Sequence, residues 1–284
     1  MNRKAISLLS GGVDSALATK MIMEQGIDVI GLHFTSLFSN KKEREQGSQA
    51  LRTAAELGIR LIVRDKGPEY IEVVKKPKYG YGKHMNPCVD CRIFMLNRAK
   101  IIMEEEGASF IITGEVLGQR PMSQRRDTIQ LIEKGSGLKS LIVRPLSAKH
   151  FSPTIPETEG IVDRERLLDI AGRARTIQYE LVARYNLKAF SCPGGGCLLT
   201  DPIYAVKLRD LFTHDPMFTL KDIELLSLGR HFRLSKTTKF IVGRNQGENE
   251  RLQSLWSPPY LLLSPSGFKG PLGILKGLID ESMI

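Results

Sequence analysis

The amino-acid sequence predicts an α/β fold, a doubly wound parallel sheet with helices on both faces, followed by a small C-terminal module. Five short apolar runs rich in β-branched residues lack the polar alternation of half-exposed strands, which is typical of strands buried on both faces. Longer segments with a helical pattern separate these runs, and strands that alternate with helices imply right-handed βαβ crossovers. After about residue 200 the pattern changes to short strands interrupted by glycine and proline.

The individual elements follow from this pattern in chain order. The predicted strands are residues 4–10, 28–34, 60–65, 109–115 and 140–146. The predicted helices are residues 15–25, 43–57, 92–106 and 163–172. The change of sequence pattern predicts two domains, the α/β domain over residues 1–200 and a β-rich module over residues 201–284.

Composition and charge narrow the class of protein. No stretch approaches the roughly 18 to 20 consecutive apolar residues that a membrane span needs, and the first residues lack a signal-peptide core. We therefore expect a cytoplasmic protein that has no membrane partner. Lysine and arginine number 41 against 31 aspartate and glutamate, and the resulting net charge of +10 favours a polyanionic partner, although solubility alone would also explain it.

A glycine-rich loop, residues 10–15 (SGGVDS), lies where the first predicted strand gives way to the first predicted helix. Its glycines allow the backbone to approach a ligand closely, and the helix start offers unpaired N–H groups and a positive dipole end. A phosphate group fits there. The loop lacks the patterns G-x-x-x-x-G-K-[ST] and G-x-G-x-x-G, which argues against a γ-phosphate-cleaving NTPase and a dinucleotide-binding dehydrogenase.

The four cysteines lie in two close pairs, Cys88 with Cys91 and Cys192 with Cys197. Four are too few for a disulfide scaffold, and close pairs in an intracellular chain favour metal or sulfur chemistry. The first pair is a C-x-x-C at a predicted helix start, and cysteine thiolates in such a motif act as nucleophiles and as ligands of soft metals. A structural zinc site of four thiolates is one alternative, although the second spacing is looser than that of a zinc knuckle.

The loop resembles the SGGxDS signature of the PP-loop ATP pyrophosphatases, at that family's position after the first strand. The resemblance implies a fold like that of the adenine nucleotide α hydrolases, and an enzyme that transfers AMP from ATP to an acceptor and releases pyrophosphate. It assigns ATP binding to the loop residues Ser10, Gly11, Gly12, Val13, Asp14 and Ser15. By the same analogy Asp14 orients the loop or helps to hold Mg²⁺.

A second resemblance narrows the family. Residues 113–124 (TGEVLGQRPMSQ) and residues 141–146 (LIVRPL) are similar to the corresponding parts of the tRNA 4-thiouridine synthetases. This implies adenylation of a uridine carbonyl in tRNA followed by sulfur transfer, forming 4-thiouridine. The nucleotide and uridine pocket would be lined by Gly114, Gln119, Ser123 and Gln124. The THUMP and rhodanese-like domains that accompany many of these enzymes have no counterpart that we recognise in this sequence.

The cysteines resemble those of two groups of tRNA thiolation enzymes. The 2-thiouridylases resemble this chain at Cys91 and Cys197, which would then carry and release sulfur as a persulfide and a disulfide. The additional Cys88 resembles enzymes that ligate a 4Fe-4S cluster through three cysteines, which implies Cys88, Cys91 and Cys197 as ligands and an open iron that binds sulfide. Cys192 could replace Cys197, complete a four-thiolate site or carry sulfur. The implied sulfur donor is sulfide or a persulfide from a cysteine desulfurase.

Contacts to tRNA are expected from basic residues that flank the proposed site. The candidates are Lys83, Arg92, Arg120, Arg125 and Arg126, with Lys75, Lys76 and Lys78 beside them. Tyr79 and Tyr81 could stack on unpaired bases or anchor their loop. Residues 239–256 resemble an RNA-binding module of ribosome quality-control proteins, and a homodimer or a separate subunit could complete the RNA surface.

Three rival functions stay open on sequence grounds. The first is synthesis of 2-thiouridine, which the cysteine resemblance favours. The second is a zinc-stabilised RNA-binding protein that keeps the fold without catalysis. The third is an amidotransferase-like enzyme that adenylates a small carboxylate, although the basic charge and the cysteine pairs would then have no evident purpose.

Overall fold

The computed structural model describes residues 1–39, 49–190 and 197–277. The chain divides into two compact units, Met1–Cys197 and Leu198–Ile284. No helix in the described ranges is long and apolar enough to cross a membrane.

The first unit is built on a five-stranded parallel sheet. Its strands are β1 (Lys4–Leu8), β2 (Asp28–Thr35), β3 (Leu61–Asp65), β4 (Phe110–Ile112) and β5 (Ile142–Val143). They lie in the order β3-β2-β1-β4-β5, and all four pairings are parallel. The predicted doubly wound α/β fold is confirmed, and each predicted strand overlaps an observed one.

Seven helices accompany this sheet in the described part of the unit. They are α1 (Val13–Met23), α2 (Gln49–Leu57), α3 (Glu69–Lys75), α4 (Cys88–Glu105), α5 (Arg126–Ser136), α6 (Ile155–Thr158) and α7 (Thr176–Arg184). The helix predicted over 92–106 begins four residues earlier, at Cys88. The prediction of a helix over 43–57 falls partly outside the described residues, because residues 40–48 are not described.

Two hydrophobic clusters cover the two faces of the sheet. Alternate residues of one strand point to opposite faces, so Ala5 packs in one cluster and Ile6 in the other. The same alternation places Phe110 and Ile112 with Ala5, and Ile111 with Ile6. The central strands are therefore buried on both sides, which explains why their sequences are continuous apolar runs.

The predicted helix over 163–172 is wrong. Only a single 3₁₀ turn forms there, at Arg164–Arg166. Beyond it the backbone N–H of Leu168 donates to the carbonyl of Pro145 at 2.8 Å, and that of Ile170 donates to the carbonyl of Leu146 at 2.8 Å. Residues 168–170 therefore lie alongside the chain that follows β5, because their backbone N–H groups donate to that chain and not to a preceding helical turn.

The second unit combines helices with a four-stranded antiparallel sheet. Its strands are β6 (Arg230–Arg233), β7 (Lys239–Val242), β8 (Leu261–Leu263) and β9 (Gly273–Lys276), in the order β6-β7-β9-β8. Its helices are α8 (Pro202–His214), α9 (Leu220–Leu225) and α10 (Gln246–Leu255). A small core of Leu225, Leu228, Ile241, Leu252 and Ile274 joins the sheet to α9 and α10.

Acid is expected to destabilise the second unit through His231. Its Nε2 lies 2.9 Å from the carbonyl oxygen of Leu228, which can only accept, so this nitrogen carries the proton, and Nδ1 is buried without a partner among the described residues. Burial, with the charges of Lys207 and Lys239, lowers the pKa of His231 to about 3. Between that pKa and the unfolded value near 6.5 the unfolded chain binds the extra proton, so stability falls as the pH falls through this window.

Urea unfolding at pH 7 and pH 4.5 measures the effect. At roughly 1.4 kcal/mol per pH unit, His231 should account for about 2–3 kcal/mol of the loss between these two values. His231→Gln keeps an amide donor and cannot titrate, so its loss on acidification should be smaller by that amount. An equal loss in the wild type and the variant would contradict the prediction.

Candidate functional site

The candidate site lies at the carboxyl edge of the parallel sheet. The loop of residues 10–15 follows β1, Gly114 and Glu115 follow β4, and Arg144 follows β5. Because all five strands are parallel, these segments leave the sheet at the same edge, where α/β proteins of this type bind their ligands.

Hydrogen bonds of a serine hydroxyl stabilise the conformation of the glycine loop. The Ser15 hydroxyl donates to the carbonyl of Gly12 at 2.9 Å and accepts from the backbone N–H of Ser10 at 3.2 Å. Gly11 has a φ of +78°, which favours glycine. Helix α1 then begins at Val13, and its N-cap residue Gly12 has no side chain that could cap the first turn. The backbone N–H groups of that turn therefore remain available to an anionic group.

Gly114 lets the loop after β4 press against the start of α1. A Cβ atom at this position would lie 2.5 Å from the carbonyl carbon of Asp14 and 2.5 Å from the backbone nitrogen of Ser15. No side chain can be accommodated without moving one of the two loops. The glycine therefore brings the two predicted nucleotide-binding segments into contact.

Asp14 is held by three side chains from two other segments. Gln119 donates from Nε2 to Asp14 Oδ2 at 2.7 Å, and Gln178 donates from Nε2 to Oδ1 at 3.4 Å. Arg175 forms an ion pair with Asp14 at 3.5 Å. Sequence reasoning missed Arg175 and Gln178, which lie at the start of α7. Two buried polar atoms of these side chains, Arg175 Nε and Gln178 Oε1, have no hydrogen-bond partner among the described residues.

Glu115 is the buried centre of an ion-pair network. Its two oxygens accept from Arg92 Nε at 2.8 Å and from Arg144 Nε at 2.9 Å. Arg144 also pairs with Glu133, and both its side chain and that of Glu115 are at most 3% exposed. Burial alone would raise the pKa of Glu115, but Arg92 and Arg144 hold it below its usual value. The network ties the first turns of α4 to the end of β5.

The first cysteine pair occupies the first turn of α4. Lys66 Nζ donates to Cys91 Sγ at 3.2 Å, and Asn86 Nδ2 donates to Cys88 Sγ at 3.3 Å. Burial raises the pKa of the Tyr70 hydroxyl, and the nearby Cys91, Cys197 and Cys88 raise it further, with a hydrogen bond to Cys91. The three described cysteines are thiols outside any disulfide, and all three lie within electrostatic reach of this hydroxyl.

The metal site implied by the sequence is not assembled by the described residues. Across residues 1–39, 49–190 and 197–277, no three His, Cys, Asp or Glu side chains lie close enough to hold one metal ion. Cys197 reaches the edge of the sheet through a backbone bridge to Ser39, beyond β2. Cys192 lies outside the described residues.

Two family models match the chain. The model described as thiamine biosynthesis protein (ThiI) matches residues 1–151, which is more than half of the chain. The chain belongs to the ThiI family. The model described as NFACT protein RNA binding domain matches residues 229–284 of this ThiI-family chain.

Relatives of the ThiI-family chain carry names from both groups of thiolation enzymes. A probable tRNA sulfurtransferase of Thermococcus kodakarensis is 30% identical over 62% of this chain and 42% of its own length. A tRNA-specific 2-thiouridylase of Sulfurimonas denitrificans is 35% identical over 41% of this chain and 36% of its own. A solved complex of a 4-thiouridine synthetase with RNA and bound ATP is 23% identical over 64% of this chain and 50% of that one, with a TM-score of 0.42. The chain spans less than half the length of the two curated relatives.

The predicted RNA contacts of the ThiI-family chain fall in different environments. Lys83 and Arg120 are exposed, and Arg125 forms an ion pair with Asp127 at the surface. Arg92 is engaged with Glu115. Arg126 donates to the carbonyl of His150 at 2.7 Å and lies over the Phe151 ring.

Most of the remaining predicted site residues are buried or make contacts within the protein. The Tyr81 hydroxyl donates to the carbonyl of Val74 at 2.7 Å, so this ring anchors its loop. Tyr79 packs against the cluster that contains Ile6. Ser123 and Gln124 are buried, and Gln124 Oε1 has no hydrogen-bond partner in the described part of the chain.

Proposed function

We propose that this chain catalyses ATP-dependent thiolation of a tRNA uridine and forms 4-thiouridine. The observation that carries the proposal is the uncapped glycine loop at the carboxyl edge of the sheet in a ThiI-family chain. The names of the tRNA sulfurtransferase relatives support the same activity.

In the first step the chain binds ATP with the pyrophosphate portion in the loop of residues 10–15. The N–H groups at the start of α1 would bind the phosphates, and Asp14 would help to hold Mg²⁺ against them. The uridine carbonyl oxygen forms a bond to the α-phosphorus while the bond from that phosphorus to the bridging oxygen breaks. The electron pair leaves with pyrophosphate, and the N3 proton of the uridine is lost.

In the second step sulfide attacks C4 of the adenylated uridine. The C4–oxygen bond breaks, AMP leaves, and the sulfide proton returns to the base nitrogen. This route is balanced without an oxidant or a reductant. The pocket must keep water away, because hydrolysis of the intermediate would regenerate uridine.

The cysteines are the proposed site of sulfide delivery. Cys88, Cys91 and Cys197 are soft donors of the kind that ligate an iron–sulfur cluster, and all three lie within electrostatic reach of Tyr70, but their described positions do not bring three ligands around one metal. A 4Fe-4S cluster bound there would supply a Lewis-acidic iron that binds sulfide. Iron analysis and the absorption of anaerobically purified protein at roughly 400 nm distinguish such a cluster from zinc, which is colourless.

The second unit is proposed to contribute to tRNA binding. Its match to an RNA-binding domain model and the basic net charge of the chain support this role. A homodimer or a separate subunit would extend the RNA surface.

Synthesis of 2-thiouridine is the second candidate function. The 2-thiouridylase relatives and the position of Cys91 favour it. In that case a Cys91 persulfide would replace sulfide as the sulfur nucleophile, and its sulfur–sulfur bond would be broken by the Cys197 thiol with formation of a disulfide.

Nucleoside mass spectrometry decides between the two functions. Unmodified tRNA is incubated anaerobically with the protein, Mg-ATP and either sulfide or a cysteine desulfurase with cysteine, which supplies persulfide sulfur, and the digest is compared with 2- and 4-thiouridine standards. We expect 4-thiouridine together with one AMP for each thiolated nucleoside. The appearance of 2-thiouridine would establish the second candidate, and a tRNA with neither product would contradict both.

A further inference from the structure

The guanidinium of Arg120 is an unpaired cation beside the nucleotide loop in the described part of the chain. Arg120 directly follows Gln119, the residue whose side chain donates to Asp14 at 2.7 Å. The turn that carries it is fixed, because the carbonyl of Arg120 accepts from the backbone N–H of Gln124 at 3.0 Å. The side chain itself is exposed and has no hydrogen bond or ion pair with any residue that the structure describes.

The arginines near Arg120 already form ion pairs with carboxylates. Arg92 pairs with Glu115, and Arg175 pairs with Asp14. Arg120 therefore adds a charge that the described carboxylates of the site do not balance. An anionic ligand would supply the missing partner, and the planar guanidinium fork matches two oxygens of a phosphate.

The guanidinium of Arg120 is affected by charges in both the glycine loop and the cysteine pair. Packing of the protein around it lowers its pKa, as does the charge of Arg92, while Cys88 and Asp14 act in the opposite direction. The guanidinium thus lies within electrostatic reach of both the loop carboxylate and the first cysteine.

We propose that Arg120 binds the α-phosphate of ATP and of the adenylated uridine. This inference rests on the proposed function, because it assigns a role in that reaction to a residue whose charge alone would suggest an RNA contact. When the bond between the α-phosphorus and the bridging oxygen breaks, the two non-bridging oxygens of the α-phosphate accept N–H donors from Arg120. The arginine then retains the AMP ester until sulfide attacks C4 and AMP leaves.

The connection to Asp14 favours a nucleotide phosphate over the RNA backbone as the ligand. Gln119, which donates to the Asp14 carboxylate, directly precedes Arg120. The same hydrogen bond therefore fixes the position of the Arg120 backbone relative to the loop. Arg125, further along the same segment, lies at the surface in an ion pair with Asp127, and both side chains are at least two-thirds exposed. Arg125 is therefore a matched control for a surface arginine in the same segment.

The test measures nucleotide and tRNA binding separately in the full chain. Arg120→Met, Arg120→Lys and Arg125→Met are titrated calorimetrically with Mg²⁺ and α,β-methylene-ATP in the absence of RNA, and with a tRNA transcript over a series of salt concentrations. Arg120→Met should weaken binding of the ATP analogue by about 10- to 100-fold, because a hydrogen bond between charged groups is lost. Arg120→Lys should bind the analogue with an affinity between those of this variant and the wild type, and Arg125→Met should bind the analogue as tightly as the wild type.

The same titrations define the results that would overturn the proposal. Affinity for tRNA and its salt dependence should be unchanged in Arg120→Met. If binding of the analogue is unchanged while the slope of log affinity against log salt falls by about one, Arg120 contacts an RNA phosphate. Unchanged binding of both ligands would likewise overturn the assignment. A wild-type chain that does not bind the analogue would overturn the proposed function itself, and the inference with it.

Discussion

Asp14→Ala is expected to abolish AMP formation and tRNA thiolation while leaving the fold intact. Asp14 lies in the first turn of α1, where its carboxylate accepts from Gln119 and Gln178 and pairs with Arg175. Alanine removes both oxygens, so the loop loses its connection to those residues and its candidate Mg²⁺ ligand. Loss of a group that stabilises the transition state costs at least about 10²-fold in rate.

The measurement is release of pyrophosphate and AMP from Mg-ATP in the presence of tRNA, with nucleoside mass spectrometry on the same samples. Asp14→Asn separates charge from shape, because its amide oxygen can still accept from Gln119. We expect the Asp14→Asn variant to be inactive as well, since the amide neither binds Mg²⁺ strongly nor pairs with Arg175. Asp127→Ala removes an exposed carboxylate at the start of α5 and should keep full activity. An active Asp14→Ala protein would refute the adenylation assignment.

The sheet could be predicted from the sequence because its strands are buried on both faces. A run such as residues 4–10 has no polar alternation, and the observed strand Lys4–Leu8 lies inside it. Helix 163–172 could not be predicted correctly, because Leu167 and Ile170 have a helix-like spacing in an extended segment. Their burial is due to the packing of that segment beside the chain after β5, which no local pattern reveals.

The candidate site could be predicted only in part, for a similar reason. The loop of residues 10–15 and Gln119 belong to continuous motifs that carry their own chemical meaning. Gln178 is separated from Asp14 by 164 positions, and its helix has otherwise ordinary polar residues. Lys66 and Tyr70 likewise follow β3 with no motif around them. Both residues contact Cys91 within the connection from β3 to β4, where the chain folds back on itself through tertiary packing that no local pattern reveals.

Glu115→Ala is expected to cause the largest loss of stability in the first unit. The substitution leaves Arg144 buried with only Glu133 as a carboxylate partner among the described residues, and it releases Arg92 from the site. Removing one partner of a buried ion pair costs about 3–5 kcal/mol, because the remaining charge stays in a low-dielectric environment. For a unit of this size the melting temperature should fall by roughly 6–20 °C.

Thermal unfolding followed by circular dichroism measures this loss. Glu165→Ala is the matched control, because Glu165 pairs with Lys149 at 3.5 Å and is 86% exposed, and its removal should change stability by less than about 1 kcal/mol.

Since the folded-state pKa of Glu115 is lowered, its contribution to stability is present above the unfolded value near 4.5 and is lost as the pH falls through the folded value. The difference between wild type and Glu115→Gln should therefore shrink on acidification. If Glu115→Ala melts at the wild-type temperature, the buried network does not stabilise the unit, and the place of Arg92 beside Arg120 must be fixed by other contacts.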